Sequence, residues 1–466
     1  MIKDLIVWNS LRAQVTSWRE LAEQVVTAHQ AGGEDAKKLL AKGWTPDDGK
    51  VFLDFVRRAE DELNQFAAPE EAEIEDDTDG AIILSAPALS ALQHLVEQAN
   101  IDANLVLRAT AQGAVGDRAG LTEHELHPAA KPPPGQRLFY SPFDEPGVLY
   151  LTEGAKAVAY RMLKGYHPFS QSPPSVPLAP KARILLVGDW ATGVGRARDI
   201  AALMRKELDA APAVERHVVH LGDIYYSGWA AECRKRFLDP WPVRPGESGV
   251  FSWCLNGNHD MYCGGDGIFQ VVLGDSRFAR QAGCTYFALG NEHWQILGLD
   301  TAYDEWNLQP GNLDQVAWAR SVLNANPGAR GILLSHHQPH SAYEGTGPKK
   351  AGRIAAQAFP LLEGRRTHAW FWGHEHRCAV YDPIDFSAAG GTASLPLGAC
   401  LGHGGVPTRP TRDSKPGVRH VLTDIVRYGI ENFAMMGFAV LDLDNDHGQL
   451  RCINERGVEH FRADLA

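Results

Sequence analysis

The sequence predicts a layered α/β domain over residues 183–466, preceded by a mostly α-helical domain over residues 1–170. From Arg183 onward, short apolar runs typical of buried strands alternate with stretches of helical spacing. Five of these apolar runs end abruptly at Asp, Asn or His. Because the carboxyl ends of parallel strands meet at one edge of a sheet, we expect a ligand site at that edge.

The N-terminal part has helical periodicity without clustered ligand-type residues. A capping-box pattern at Ser17-Trp18-Arg19-Glu20 predicts one helix, and further helices are predicted over 50–66, 88–99 and 153–163. Seven carboxylates between Glu70 and Asp79 predict a solvated loop. The four prolines of residues 171–182 predict an extended linker, where we place the domain boundary.

The composition of the chain disfavours several classes of protein. The formal net charge of -12 disfavours a nonspecific binder of nucleic acid or of an anionic membrane surface. We find neither an apolar run of membrane-spanning length nor a secretory pattern at the start, so we expect no membrane partner and a cytoplasmic location. The seven cysteines include no C-x-x-C pair, which predicts reduced thiols rather than a disulfide framework or a zinc ribbon.

The first of the five runs is Ile184 to Val187, which ends at Gly188-Asp189. Glycines follow at 193 and 195, and helical spacing then begins with Ile200. This pattern predicts a strand, a turn and a helix. An Asp in such a place is commonly a helix cap or a turn residue, so this motif alone does not identify a site.

The same pattern returns four times. Apolar runs lead into Gly222-Asp223, Gly257-Asn258-His259-Asp260, His336-His337 and Gly373-His374-Glu375-His376. Carboxylate, amide and imidazole donors gathered at one sheet edge are typical of a metal site. Between the motifs we predict a hairpin around Gly290-Asn291 and helices over 313–323 and 354–362. After the last motif we predict a C-terminal hairpin of 437–443 and 449–454.

Taken in order, these motifs resemble those of the calcineurin-like metallophosphoesterases, with the purple acid phosphatase branch the most similar in detail. The resemblance covers residues 183–466 and leaves 1–170 unexplained. It implies an α/β/β/α sandwich with two divalent or trivalent metal ions, Fe, Mn or Zn, about 3.5 to 4 Å apart. It also implies hydrolysis of phosphate esters by a metal-bound hydroxide.

The resemblance implies a ligand for each motif. Asp223 would bridge the two ions, while Asp189 and His376 would hold one of them. Asn258, His374 and one histidine of the 336/337 pair would hold the other. We favour His336, the first polar donor after the strand, whereas His337 has the H-x-P spacing seen in some relatives.

One departure from the family pattern points to a further ligand. Most of the superfamily has a His two residues after the first Asp, where this chain has Ala191. Purple acid phosphatases also lack that His and have a Tyr three residues after the bridging Asp, a spacing that Tyr226 shares. Tyr226 is therefore expected as a tyrosinate ligand that favours a ferric ion. The alternative is that Tyr226 packs on the sheet and that water completes the site.

The catalytic residues implied by the resemblance are His259 and Asp260. His259 matches the histidine that stabilises the transition state or protonates the leaving oxygen, and Asp260 would orient it. The alternative for His259 is a histidine satisfied within the core. A second group of residues lies downstream of the ligand motifs and is expected either to line the substrate pocket or to lie in solvated loops: His340, Tyr343, Lys349, Lys350, Arg377 and His403.

These observations predict a metallophosphoesterase acting on a small phosphorylated substrate, and they leave phosphomonoesters and nucleotide-type phosphodiesters open. An alternative is a regulatory or scaffold protein that binds metal without turnover and recruits a protein partner through residues 1–170. A nuclease is a third alternative, which the acidic charge disfavours.

Overall fold

The computed structural model describes residues 166–465 apart from 194, 226–227, 305, 311–313, 344–350, 364–366, 388–392, 407, 409, 412–413 and 429–430, together with scattered positions between 19 and 57. Those scattered positions include residues 19, 23, 50, 53 and 54, which are helical. The other N-terminal predictions, including the acidic loop and the helices over 88–99 and 153–163, lie outside the described residues.

The chain divides into two compact units. The first comprises Met1–Tyr166, Tyr262–Gly264 and Tyr428–Glu431, and the second comprises His167–Met261, Gly265–Arg427 and Asn432–Ala466. No helix among the described residues combines the length and the apolar character needed to cross a bilayer.

The second unit is built on β-strands joined by helices. In chain order the described strands are β1 (Ser175–Pro177), β2 (Lys181–Val187), β3 (Glu215–His220), β4 (Val250–Cys254), β5 (Phe287–Gly290), β6 (Trp294–Leu299), β7 (Arg330–Ser335), β8 (Thr367–Trp372), β9 (Cys378–Tyr381), β10 (Ile384–Asp385), β11 (Ser394–Leu395), β12 (Leu397–Leu401), β13 (Val418–Val421), β14 (Ile425–Tyr428), β15 (Glu431–Ala434), β16 (Gly437–Asp444), β17 (His447–Asn454) and β18 (Glu459–Leu465).

The described helices of this unit are short to medium in length. They are α1 (Gly195–Asp209), α2 (Ala230–Glu232) continued by a π-helix (Cys233–Leu238), a second π-helix (Gly267–Val272), a 3₁₀ helix (Ser276–Gln281), α3 (Gln315–Ala325) and α4 (Ala351–Leu362). The predicted helix over 313–323 begins two residues later than expected, because the Asp314 side chain caps it by accepting a hydrogen bond from the Ala317 N–H.

Two mixed sheets form the middle of the unit. The six-stranded sheet has the order β18-β17-β16-β2-β3-β4, in which β2, β3 and β4 run parallel. The eight-stranded sheet has the order β1-β5-β6-β7-β8-β12-β9-β13, in which β6, β7, β8 and β12 run parallel. Within the predicted linker, β1 pairs with β5, so part of residues 171–182 belongs to a sheet. The domain boundary itself stays a prediction.

Strand alternation divides the apolar side chains among three clusters. Ile184 and Leu186 of β2 point into a cluster shared with Ile332 and Leu334 of the other sheet. Leu185 and Val187 point the opposite way, into a cluster with α1. The outer face of the eight-stranded sheet packs against α3 and α4 in the third cluster. The layers therefore run helix, sheet, sheet, helix, which confirms the predicted α/β/β/α sandwich.

Candidate metal centre

The parallel register brings the five motifs to one edge of each sheet. Val187 of β2 pairs with His220 of β3, so Asp189 and Asp223 follow neighbouring strand ends. In the other sheet Ser335 of β7 pairs with Trp372 of β8, which places His336 beside Gly373-His374. The edges at which these strands end are where the sequence predicted the site.

Three of the predicted ligands adopt the left-handed backbone conformation that is rare for residues with a Cβ. The φ angles are 54° at Asp189, 72° at Asp223 and 69° at His374. Each of these residues follows a glycine at a strand end. Because strained backbone of this kind persists only where the surroundings impose it, the conformation indicates that these side chains are held in fixed directions.

Two glycines make room for the ligand side chains. A Cβ on Gly222, whose φ is 101°, would lie 2.6 Å from His336 Nδ1. A Cβ on Gly257 would lie 2.0 Å from Asp223 Oδ1. Both positions therefore require glycine for the side chains of His336 and Asp223 to occupy the places they have.

One half of the cluster is formed by Asp223, Asn258, His336 and His374. His336 Nε2 lies 3.0 Å from Asn258 Oδ1 and 3.4 Å from Asp223 Oδ1. His374 Nδ1 lies 3.0 Å from the same Asn258 oxygen and 3.2 Å from His336 Nε2. His336 Nδ1 lies 3.0 Å from the Leu221 carbonyl, a contact that leaves Nε2 as the lone-pair nitrogen facing the cluster.

The other half is formed by Asp189 and His376. His376 Nε2 lies 3.5 Å from Asp189 Oδ1, and Asp189 Oδ2 accepts a 2.7 Å hydrogen bond from the His374 backbone N–H. Ligand atoms of Asp189, Asp223 and His336 all lie within 4.8 Å of one another, and all three side chains are buried. The two halves are thus contiguous.

The structure places both members of the His336-His337 pair near His374. Ligand atoms of these three histidines lie within 4.8 Å of one another. The ring of His337 packs on Trp306, with centroids 4.2 Å apart, and its Nδ1 lies 2.9 Å from the Thr301 carbonyl. His336 also contacts Asp223 and Asn258, an arrangement that favours it as the ligand.

Asp260 joins the loops after β3 and β4. Its carboxylate accepts hydrogen bonds from the backbone N–H groups of Asp223 at 3.1 Å, Ile224 at 3.0 Å and Gly257 at 2.6 Å. It thereby fixes Asp223 against the Asn258 motif. The predicted orientation of His259 by Asp260 stays a prediction, whereas this backbone role has no signal in residue spacing.

The sequence of this region matches a family model. Residues 182–378 match the model described as calcineurin-like phosphoesterase. This part of the chain is therefore similar to the calcineurin-like phosphoesterases. Curated protein sequences gave no match to the chain.

The chain is also similar to solved structures, at low sequence identity. GAP50, the anchor in the inner membrane complex of Plasmodium, is 14% identical with a TM-score of 0.46, covering 61% of this chain and 88% of that one. Purple acid phosphatase PPD1 from yellow lupin (Lupinus luteus) seeds is 13% identical with a TM-score of 0.42, covering 64% and 55% respectively. A dimetal phosphatase from Danio rerio is 17% identical with a TM-score of 0.40, covering 62% and 99%.

Among the described residues, Tyr225 also reaches this cluster of donors. Its hydroxyl oxygen lies 3.0 Å from Asp189 Oδ1, 3.2 Å from Asp223 Oδ2 and 2.8 Å from His376 Nε2. Tyr226, the predicted tyrosinate ligand, lies outside the described residues. The ligand role of Tyr226 therefore stays a prediction, whereas the sequence analysis did not single out Tyr225.

His259 lies at the margin of the same cluster. Its backbone N–H donates to Asp223 Oδ1 at 3.0 Å, its Nε2 lies 3.9 Å from Asp223 Oδ2, and its ring centroid is 4.5 Å from that of Tyr225. The side chain is 1% exposed. The ring therefore lies beside Asp223.

Burial and neighbouring charges shift the pKa values of the carboxyl groups in this cluster in different directions. Burial raises the pKa of Asp223 to about 6. Burial and the nearby Asp223 charge raise the pKa of Asp260, against three backbone hydrogen bonds. Burial opposes ionisation of Asp189 too, yet His376 and His336 lower the pKa of its carboxyl below the usual value. Bound cations would offset the unfavourable free energy of burying these negative charges close together.

The donor set fits metal ions. Asp, Asn and His side chains converge, His336 has its second nitrogen held by a carbonyl, and glycines clear the space around two of the ligands. Metal binding therefore agrees with the residues present as well as with the family.

The residues predicted either to line the substrate pocket or to lie in solvated loops have different surroundings in the structure. The Arg377 guanidinium lies 4.4 Å from the ring centroid of Tyr343, and His340 packs on Tyr381 at 5.2 Å. Lys349 and Lys350 lie outside the described residues. The solvated-loop interpretation is wrong for His403, which is 3% exposed, because Gly402 and Gly404 pack the loop against the ends of neighbouring strands.

Proposed function

We propose that the phosphoesterase domain hydrolyses phosphate esters with two metal ions, each of them Fe, Mn or Zn. The observation that carries this proposal is the convergence of six donors from five strand ends: Asp189, Asp223, Asn258, His336, His374 and His376. Asp189 and His376 would hold one ion, Asn258, His336 and His374 would hold the other, and Asp223 would contact both. When bound, the ions would supply charge neutralisation for phosphoryl oxygens and an activated water.

The protein's own groups would position the ester and assist departure of the alcohol. The ring of His259, beside Asp223, would donate a proton to an oxygen of the bound ester. Asp260 would keep the strand-end loops in register during turnover through its three backbone hydrogen bonds. Tyr225 would hold Asp189 and His376 in place through its hydroxyl.

The substrate is proposed to be a small phosphorylated molecule, with monoesters and diesters both compatible with these donors. The acidic net charge supports this over a nucleic-acid polymer. Residues 1–170 would then select substrate size or recruit a protein partner.

The test is turnover of aryl phosphate mono- and diesters by the full chain. We expect His259→Ala to lower kcat by about 10²- to 10⁴-fold while the metal content stays that of the wild type. The matched control is His447→Ala, at an exposed position in the β16–β17 hairpin, which should leave kcat unchanged. Metal-loaded wild-type protein that turned over neither ester class would contradict hydrolysis and favour a metal-binding scaffold.

A further inference from the structure

A second group of metal-type donors lies in residues that the phosphoesterase site does not use. Ligand atoms of Cys378, His403 and His460 all lie within 4.8 Å of one another. Cys378 begins β9 of the eight-stranded sheet, His403 follows β12 of the same sheet, and His460 lies in β18 of the six-stranded sheet. The group therefore joins the two sheets of the sandwich.

His403 is a buried imidazole in the loop that follows β12. It is 3% exposed, and neither ring nitrogen has a hydrogen-bond partner of ordinary geometry among the described residues, although the Leu401 backbone lies nearby. Its carbonyl accepts a 3.0 Å hydrogen bond from the Gly437 N–H, and a Cβ on Gly437 would lie 2.6 Å from His403 Nε2. A buried polar group without a partner is costly, so a ligand at this ring would satisfy it.

A β-bulge directs His460 toward the same point. Along β17 and β18, Cys452 pairs with Phe461 while the next residue, Ile453, pairs with Glu459, which leaves His460 as the extra residue. Bulges of this kind redirect a side chain out of the regular alternation. His460 Nε2 has no hydrogen-bond partner among the described residues, whereas its Nδ1 lies 2.9 Å from His420 Nε2. Ligating histidines are commonly held in this way at the second nitrogen.

The third donor, Cys378, is a buried thiol at the start of β9. Metal binding would replace its S–H bond by a bond to the ion and release the proton to solvent.

We propose that Cys378, His403 and His460 bind a zinc ion between the two sheets. Thiolate and imidazole donors suit Zn²⁺ and disfavour Mg²⁺, Ca²⁺ and Mn²⁺. The site is independent of the proposed hydrolysis, since it shares no residue with the phosphoesterase donors. Its ion would hold β9, the β12 end and β18 together.

Cobalt substitution in the full chain distinguishes this site from the phosphoesterase centre. The phosphoesterase donors are oxygen and nitrogen atoms, so a thiolate-to-Co²⁺ charge-transfer band in the near ultraviolet reports a cysteine ligand. We expect this band, with about one tightly bound ion per chain, in a variant that carries Asp189→Asn and Asp223→Asn. The band should disappear in Cys378→Ser and in His403→Gln.

The matched control is Cys284→Ser, because the Cys284 thiol instead donates a hydrogen bond to the Ser170 hydroxyl oxygen. This variant should keep the band. If the Cys378 or His403 variants fail to fold, X-ray absorption at the zinc edge of the unmodified protein replaces them, with sulfur expected at about 2.3 Å from zinc. A folded wild type without a thiolate band, or zinc surrounded by oxygen and nitrogen alone, would overturn the proposal.

Discussion

The Tyr225 hydroxyl oxygen lies 3.0 Å from Asp189 Oδ1. Asp189 follows β2 and Tyr225 follows β3, so this contact links the ends of two adjacent parallel strands. The same hydroxyl reaches His376 Nε2 at 2.8 Å, which brings the last of the five motifs into contact with the first two. A single buried phenol thus connects three of the groups expected at the metal centre.

The variant Tyr225→Phe tests this connection. Loss of the hydroxyl would free Asp189 and His376 to move, and we expect metal affinity to fall by about 10- to 100-fold, as measured by competition with a chelator. Tyr226→Phe is the comparison, because Tyr226 has the spacing of the ligand in purple acid phosphatases. A large loss in Tyr226→Phe together with wild-type affinity in Tyr225→Phe would show that the second tyrosine is the one that matters.

Asp260→Ala tests the backbone role of that carboxylate. The change leaves three backbone N–H groups near the centre without their acceptor, so we expect the free energy of unfolding in urea to fall by about 2–5 kcal/mol. Asp446→Ala, at an exposed turn, should change it by less than about 0.5 kcal/mol. Equal stability of the two variants would contradict the role of Asp260 in holding the loops.

Gly222→Ala tests the space that the His336 ring requires. The new methyl group would fall 2.6 Å from His336 Nδ1, and we expect loss of metal binding at the phosphoesterase centre, as measured by metal analysis. Gly283→Ala is the control, because Gly283 also has a positive φ, of 72°, but nothing lies within 4 Å of a Cβ added there. Gly283→Ala should cost about 1–2 kcal/mol of stability and keep the metal. Metal loss in both variants would assign the effect to backbone strain.

Protonation of His217 should contribute to a fall in the free energy of unfolding in mild acid. Burial lowers the pKa of His217 despite the opposing effect of Glu215, so the folded state holds the neutral ring: Trp253 Nε1 donates to its Nδ1 at 3.0 Å. Because the folded pKa lies below the unfolded one, the unfolded state binds the extra proton. Stability is therefore lost as the pH falls below the unfolded pKa of about 6.5. Urea unfolding at several pH values should show a shallower decline in His217→Gln, and identical pH profiles would contradict this account.

The positions of the metal-type donors could be predicted because an apolar run that stops at Asp, Asn or His marks a strand end, and parallel strands end at one edge. The layer order was implied by the family resemblance, and the structure shows it in the alternating burial along β2. The partners of Asp260 could not be predicted, since they are backbone N–H groups that any sequence supplies. The convergence of Cys378, His403 and His460 could not be predicted either. A bulge alters the side-chain alternation of β18, and the three residues are far apart in the chain.

The most direct test of the central claim is the metal content of the full chain after reconstitution with Fe, Mn or Zn, measured beside phosphoester turnover in the wild type and in Asp223→Asn. The account predicts about two ions at the phosphoesterase centre of the wild type, in addition to the zinc bound through Cys378, and a loss of both those ions and turnover in Asp223→Asn. A wild type that binds no metal beyond the cysteine site, or an Asp223→Asn variant with unchanged metal content and turnover, would contradict it.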